Sequence, residues 1–170
     1  MEFLIFVIIL EEIKMEITRI DAIEQDFEFA FLAKKQAIGP HITSKWGWDE
    51  KYQRDVHTIR WSEKPWFILW FEGKRIGTVS IHFLEEHARF GEFYLIDGCR
   101  NRGLGTKVLT SFLDECDSKN KKVILEYLKW NPVGNLHKRN GFIVTHENEL
   151  HYFLERSQLN NKAQNLSALV

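Results

Sequence analysis

The run Arg100-Asn101-Arg102-Gly103-Leu104-Gly105 joins the two residue types best suited to gripping a phosphate. Arginine can hold a phosphate through two parallel hydrogen bonds, and glycine, lacking a Cβ atom, lets a bulky anion approach the main chain. The run lies between a short apolar segment, Phe93-Tyr94-Leu95-Ile96, and a stretch with apolar residues at Leu104, Val108, Leu109, Phe112, Leu113 and Cys116. That order reads as a strand, a glycine-containing turn and an amphipathic helix. The first-turn N–H groups of such a helix have no partner inside it and sit at the positive end of its dipole. Arg100, Arg102 and Lys107 add side-chain charge. Spacing excludes two common phosphate loops. A dinucleotide fingerprint needs Gly-x-Gly-x-x-Gly, and Val108 stands where the third glycine would be. The Walker-type Gly-x-x-x-x-Gly-Lys-Ser/Thr pattern is absent.

A second block, Asn131-Pro132-Val133-Gly134-Asn135-Leu136-His137-Lys138-Arg139-Asn140-Gly141-Phe142, follows the strand-like run Val123 to Leu128. Asn131 is a good N-cap, Pro132 suits a first helical position, and Gly141 is a natural left-handed C-cap residue. Together they predict a helix of about two to three turns. Two strand-helix units in this order form a more specific pattern than either does alone.

Arg100-x-x-Gly103-x-Gly105 resembles the pyrophosphate loop of the GNAT N-acetyltransferase superfamily. The second block is similar to that superfamily's later motif, Asn-Pro-Ala-x-x-Leu-Tyr-x-x-x-Gly-Phe. The resemblance spans about Met15 to Glu155. It implies a mixed α/β fold with a mostly antiparallel central sheet, flanked by helices and splayed into a cofactor cleft. It also implies acetyl-CoA as co-substrate, no metal, and transfer of the acetyl group to a primary amine by direct attack. The alternative is a non-catalytic acyl-CoA-binding regulatory module. Carried over, main-chain groups of Leu95 and Ile96 pair with the pantetheine arm. The amides of Arg100, Asn101, Arg102, Gly103, Leu104, Gly105 and Thr106 hold the pyrophosphate, and Asn131 lies near the pantetheine amides. Leu95 and Ile96 can also pack in the core while doing so, and Asn131 can act as a cap alone.

His137 stands where the motif has tyrosine, the residue associated with the departing thiolate. An alkyl thiol titrates near 8.5 or above and imidazole near 6.5, so a protonated His137 could pass its proton downhill. A neutral ring could still donate one hydrogen bond, and a plain polar helix residue is the remaining reading. Freeing a lysine-type amine of its proton at pH 7 costs about 4.6 kcal/mol, against about 1 for an α-amine. Glu85, Glu86, His87, Glu92, Glu126 and Tyr127 are candidate bases, and a base acting through water is an equal alternative. The Trp46-Gly47-Trp48-Asp49-Glu50 segment resembles a signature of one branch of these enzymes. Trp48 and Asp49, with Tyr127, are candidates for the acceptor pocket, where tryptophan and carboxylate could cage an ammonium group. Packing and helix capping are the other readings, with Trp46 expected to pack.

The elements that must position these residues follow from periodicity. Glu16 to Ile20 reads as a first strand. Asp26 can cap a helix running to about Ile38 and stopped by Gly39-Pro40. A second helix runs from near Trp48-Asp49 towards His57. Trp66 to Phe71 and Arg75 to Phe83 form a hairpin about Glu72-Gly73-Lys74, and Phe90 to Ile96 leads into the phosphate loop. Phe142 to Thr145 and His151 to Leu154 form a closing hairpin.

At 170 residues, 44% hydrophobic and 28% charged, the chain suits one globular domain, placed at 15–157. The net charge is −1, yet Arg100 to Asn140 holds nine Lys/Arg against four Asp/Glu, leaving about −6 elsewhere. A basic cofactor half and an acidic remainder suit an anionic cofactor and a cationic acceptor, with an unevenly charged surface as the bland alternative. The acceptor is expected to be a small molecule or peptide amine. The overall charge gives no support for nucleic-acid binding, and a homodimer is left open. Cys99 and Cys116 form neither a zinc pattern nor a disulfide framework, which suits a reduced, cytoplasmic protein. The eight apolar residues Phe3 to Leu10 are too few to span a bilayer, which needs about twenty. With Glu2 ahead and Glu11-Glu12 behind, they do not read as a secretory signal. Residues 1–14 are therefore read as an upstream extension, with Met15 as a candidate start-site that would open a normal first strand; a short additional strand or an interfacial anchor is the alternative, and 158–170 is read as a polar tail.

Overall fold

The computed structural model describes residues 16–159. The extension at 1–14 and most of the tail beyond Gln158 lie outside the described residues. Seven strands form one sheet: β1 (Thr18–Asp21), β2 (Trp66–Phe71), β3 (Lys74–Phe83), β4 (His87–Leu95), β5 (Lys122–Leu128), β6 (Ile143–Glu147) and β7 (His151–Arg156). Their order is β1-β2-β3-β4-β5-β7-β6, and every pair is antiparallel except β4 with β5. Among the described residues four α-helices flank it: α1 (Phe27–Trp46), α2 (Glu50–Glu63), α3 (Leu104–Ser118) and α4 (Gly134–Arg139), with a 3-10 turn at Glu24–Asp26 ahead of α1. This is the expected mixed α/β architecture. None of the described helices is long and apolar enough to cross a membrane.

Local chemistry sets most boundaries. Phe71 pairs directly with Lys74, so β2 and β3 are joined by two residues, Glu72 and Gly73, both at positive φ (50° and 72°). Such a turn matches the twist of a hairpin. Asp49 caps α2 by accepting the Tyr52 N–H at 2.9 Å, and the helix continues past His57 to Glu63. α3 buries the six apolar residues that its periodicity marks, Leu104, Val108, Leu109, Phe112, Leu113 and Cys116. They pack on Val79, Ile81, Phe90, Val123 and Leu125 of the sheet. Asp117 of α3 grips Arg156 of β7 through two parallel hydrogen bonds of 2.9 and 2.8 Å, fixing the far strands to the helix layer.

Two helices differ from expectation. α1 does not stop at Gly39-Pro40 but runs through Pro40 to Trp46. Proline removes one helical donor, leaving the carbonyl four residues back without its partner. That carbonyl belongs to Gln36, and it accepts a hydrogen bond from Arg100 at 3.1 Å instead. A tertiary contact thus replaces the lost helical bond. α4 is shorter than predicted, with six residues after a turn at Pro132-Val133. Gly134 is a weak helix former, and Asn131 caps the preceding turn by accepting the Val133 N–H at 3.1 Å. Gly141 takes the expected left-handed conformation (φ 84°).

On the other face, α1 and α2 enclose a second cluster that includes His57. This residue is fully buried, and neither ring nitrogen has a hydrogen-bond partner among the described residues. Phe27, Phe31, Trp61 and Trp66 surround it at centroid distances of 4.8 to 5.9 Å. Burial, helped by the nearby Lys34 charge, lowers its pKa from 6.5 to about 4. The unfolded chain therefore binds a proton between pH 6.5 and 4 that the folded chain refuses, so stability falls as pH falls through that window and levels off below it. Replacing His57 with Phe removes this proton. The expected outcome is that roughly 3 kcal/mol of the acid-side loss disappears, read as a flatter pH dependence of the unfolding free energy in urea. An unchanged slope would mean that His57 is protonated in the folded state.

Candidate active site

β4 and β5 run side by side for three residues only. His87, Ala88 and Arg89 stand opposite Lys122, Val123 and Ile124. Beyond them the two strands part, while β5 stays paired along its other edge with β7. A bulge accompanies the parting. Thr78 faces Tyr94 and Ser80 faces Gly91, so Glu92 and Phe93 share the single position opposite Val79. Glu92 adopts a positive φ of 44°. A bulge bends its strand and increases the local twist. It also changes the phase of the side chains. Ala88, Phe90, Phe93 and Leu95 join the core beneath α3, whereas Tyr94 joins the cluster beneath α1 and hydrogen-bonds Glu92.

The notch between the parted strands offers main-chain groups. The Ile96 N–H donates to the Ile76 carbonyl at 3.0 Å. Bonded and non-bonded positions alternate along an antiparallel pair, so Leu95, opposite Gly77, turns its N–H and C=O towards the gap. Ile96 is differently placed. Its N–H is engaged with Ile76, and its carbonyl accepts the Cys99 N–H at 3.1 Å.

At the end of β4 the chain passes through three left-handed residues, Gly98 (φ 79°), Asn101 (φ 60°) and Gly103 (φ 78°). Left-handed residues of this kind fold successive amides into anion-binding concavities. Gly103 holds the N-cap of α3 with no side chain to offer, so the amides of Leu104, Gly105 and Thr106 have no capping acceptor. Arg100 is committed elsewhere. Besides the Gln36 carbonyl it pairs with Asp97, whose N–H donates to Gln36 Oε1 at 2.8 Å. It ties the loop to α1, while Arg102 reaches only the Gly98 carbonyl at 3.3 Å and stays exposed.

Against the notch lies a cavity of about 670 Å³, walled by α1, α2, β4, β5 and α4. Glu92 is part of its wall. Its side chain is almost wholly buried, Oε1 accepts from Arg60 Nη1 (2.9 Å) and Lys64 Nζ (2.8 Å), and Oε2 accepts from the Tyr94 hydroxyl (2.9 Å). Burial alone would raise its pKa, but Arg60, Lys64 and Tyr94 hold it below the ordinary value. A carboxylate so held is a weak proton acceptor.

A parallel pair that opens beside a strand-loop-helix amide nest matches what the sequence motifs led one to expect. The model of the Acetyltransferase (GNAT) family matches residues 20–142, most of the chain. The chain belongs to the GNAT acetyltransferase family. Solved structures agree on the fold. The PaiA N-acetyltransferase from Thermoplasma acidophilum, solved in complex with coenzyme A, is 15% identical with a TM-score of 0.68, covering 84% of this chain and 99% of its own. The ribosomal-protein-S18-alanine N-acetyltransferase from Escherichia coli is 15% identical with a TM-score of 0.61 (84% and 94% covered). Ard1 from Thermoplasma volcanium is 20% identical with a TM-score of 0.58 (84% and 98% covered). No curated protein matches the sequence.

Within this GNAT chain, Asp49, Tyr127, Asn131 and His137 all line the cavity. Leu95 faces the adjoining notch, and the loop from Arg100 to Thr106 lies beyond the cavity wall at the end of β4. Trp48 does not line the cavity. Its indole N–H donates to Glu50 Oε2 at 2.7 Å, and its ring packs on Phe31 and beside Gly39. Trp46, expected to pack, is instead 57% exposed, lines the cavity and meets Trp130 edge-on at 4.8 Å. Glu85, Glu86 and His87 lie outside the cavity wall, while Glu126 is part of it, beside Arg89 at 3.5 Å.

His137 is buried against the rings of Tyr127 (5.5 Å) and Phe142 (5.6 Å), and its Nδ1 has no partner among the described residues. Burial lowers its pKa to about 4. The ring is therefore neutral at pH 7, which removes the protonated form expected from an unperturbed imidazole. Lys34, Gln53, Arg60, Lys64 and Tyr94 were missed by sequence reasoning. The one available signal was the apolar phase break at Gly91-Glu92, which turns Glu92 and Tyr94 to the α1 and α2 side.

Gly134 shows how tightly the cavity wall is built. A Cβ there would lie 2.3 Å from the Tyr127 hydroxyl oxygen and 2.8 Å from its ring. Replacing Gly134 with Ala should destabilise the protein by about 1–3 kcal/mol through overpacking. The loss should shrink in a Tyr127→Phe background, which removes the nearest atom. A double-mutant cycle in thermal unfolding measures this coupling, and strict additivity would mean that Tyr127 does not rest on Gly134. Gly105→Ala should be mild, since its Cβ would meet Phe93 and Leu95 at 3.7 to 3.8 Å, an ordinary contact.

Proposed function

We propose that the protein transfers the acetyl group of acetyl-CoA to a primary amine by direct attack, with no covalent enzyme intermediate. The observation that carries this reading is the notch between β4 and β5, with Leu95 peptide groups facing it and uncapped α3 amides at its end. In this reading Leu95 pairs with the pantetheine arm, and Ile96, already engaged on both sides, does not. The amides from Arg100 to Thr106 receive the diphosphate, with Arg102 and Lys107 supplying charge. Asn131 Oδ1 is occupied by the Val133 N–H, which leaves its Nδ2 to donate towards the pantetheine amides.

The amine nitrogen attacks the thioester carbonyl, the new C–N bond forms, the C–S bond breaks, and the thiolate takes up a proton. Tyr127 and His137 are the donors nearest to hand. Burial raises the Tyr127 pKa, so the phenol stays protonated and can donate. Neutral His137 can donate one N–H hydrogen bond to the leaving thiolate without being its acid. Cys116 is no nucleophile, since burial pushes its thiol to about 12. The Trp46–Glu50 segment, at the mouth of the cavity, serves as acceptor wall through Trp46 and Asp49, in keeping with its likeness to one branch of the family. The fold leaves the acceptor open: one of the similar structures is named for the alanine of a ribosomal protein, others by name only as acetyltransferases.

The buried, neutral His137 in the tyrosine position also favours a second reading, an acyl-CoA-binding module without turnover. Thiol release from acetyl-CoA with a panel of amino acids, peptides and polyamines separates the two. Turnover with at least one acceptor is expected, with Tyr127→Phe lowering kcat while leaving coenzyme A affinity within about twofold. Tight binding without turnover on any acceptor, and no change on His137→Phe, would favour the module. Gly103→Val forces a β-branched residue into a left-handed backbone. It should weaken coenzyme A binding at least about tenfold by calorimetry, and unaltered binding would remove the loop from the site.

A further inference from the structure

Around Glu92 the cavity wall carries three cations, Lys34, Arg60 and Lys64, against this one carboxylate. Lys34, on α1, is 3% exposed and lines the cavity, yet its ammonium contacts only the Gln53 carbonyl at 3.3 Å. No carboxylate lies within ion-pair distance of it among the described residues. Arg60 and Lys64 share one oxygen of Glu92, whose other oxygen takes the Tyr94 hydroxyl. Two of the three cations are thus paired with one buried carboxylate, and the third, Lys34, has no carboxylate partner among the described residues. Of the remaining cavity charges, Arg89 sits with Glu126, and exposed Asp49 caps α2 and forms no ion pair with Lys34, Arg60 or Lys64. Buried charges are normally paired, and a buried ammonium with two unused N–H donors is a receptor for an anion; the part-exposed Arg60 guanidinium, which uses one of its five donors for Glu92, lines the same cavity.

We propose that Lys34 and Arg60 form a subsite for a carboxylate carried by the acceptor, so that the acceptor is an amine bearing a carboxylate group, such as an amino acid, and not a polyamine. This rests on the acetyl-transfer reading above and narrows its substrate. It reverses the expectation of a cationic acceptor drawn from the distribution of charge along the chain. Burial and the adjacent Arg60 lower the Lys34 pKa to about 8, the behaviour of a cation short of a counter-ion. A second ammonium entering beside Lys34 would be repelled, whereas a carboxylate would supply the missing charge. The surplus also disfavours the protonated form of the acceptor amine, which promotes the nucleophilic free base without a side-chain base.

The test compares each of several amino acids with its own carboxamide, and with spermidine, in thiol release from acetyl-CoA, beside coenzyme A calorimetry on the same samples. The wild-type protein is expected to prefer at least one amino acid over its carboxamide by tenfold or more in kcat/KM. Lys34→Met should cut that preference to threefold or less, mainly through KM, and Lys34→Arg should restore part of it. If a variant misfolds, the wild-type comparison decides alone. Carboxamides or spermidine used as well as any amino acid, or Lys34→Met slowing both partners of each pair equally, would overturn the carboxylate subsite while leaving acetyl transfer standing. Absence of coenzyme A binding and of thiol release with every amine would overturn both.

Discussion

Everything in the site depends on two parallel strands letting go of each other in the middle of a sheet. Peptide groups left unpaired in a protein interior are expensive, at about 1–3 kcal/mol for each unsatisfied group. A sheet that opens between β4 and β5 therefore needs something to occupy the gap or a local reason to open. The bulge at Glu92 supplies the reason. Extra twist at that point carries the end of β4 away from β5, and β5 does not lose its order because β7 holds its other edge from Val123 to Leu128. The opening is thus confined to one pair of strands.

The same bulge decides which chemistry faces the opening. Without the inserted residue, Glu92 would follow Ala88 and Phe90 into the apolar core under α3. The phase shift turns it towards α1 and α2, where Arg60, Lys64 and Tyr94 receive it. Geometry and electrostatics are therefore coupled: the notch and the charged wall around Glu92 arise from one backbone irregularity. A second coupling joins the loop to the helices. Pro40 frees the Gln36 carbonyl, Arg100 fills it, and the loop after β4 is fastened to α1. Arg100 is then a structural tie, and in the proposed reading the main-chain amides and Arg102 are left to meet a phosphate.

Features set by local rules were legible in the residues. The α3 face, the hairpin at Glu72-Gly73, the Asp49 cap and the left-handed Gly141 follow from periodicity, turn chemistry and capping, and each needs only neighbours along the chain. What escaped depends on distant partners. Pro40 reads as a helix stop because the compensating donor, Arg100, lies far along the sequence. Trp46 and Trp48 differ by two positions, and only the placement of Phe31, Gly39 and Trp130 decides which of them packs and which faces the cavity. The ordinary pKa of imidazole was a sound starting point for His137, but it gives no warning of the rings of Tyr127 and Phe142. Lys34 left no trace at all, since one lysine on an otherwise apolar helix face looks like a side chain reaching for solvent.

The arrangement of charge bears on a question that the motifs leave open, how an acceptor amine loses its proton. Glu92, the most buried candidate base, has both oxygens occupied and its pKa lowered. Glu126 is paired with Arg89, if loosely. A pocket with a surplus of cations needs neither. On the proposed reading, positive potential at the acceptor amine would shift its own equilibrium towards the neutral form. In the proposed reaction the same potential would stabilise the negative charge developing on the carbonyl oxygen and then on sulfur. One electrostatic feature can in this way assist proton loss before attack and charge accumulation during it, and an acceptor carboxylate held by Lys34 would keep that feature from repelling the substrate it serves.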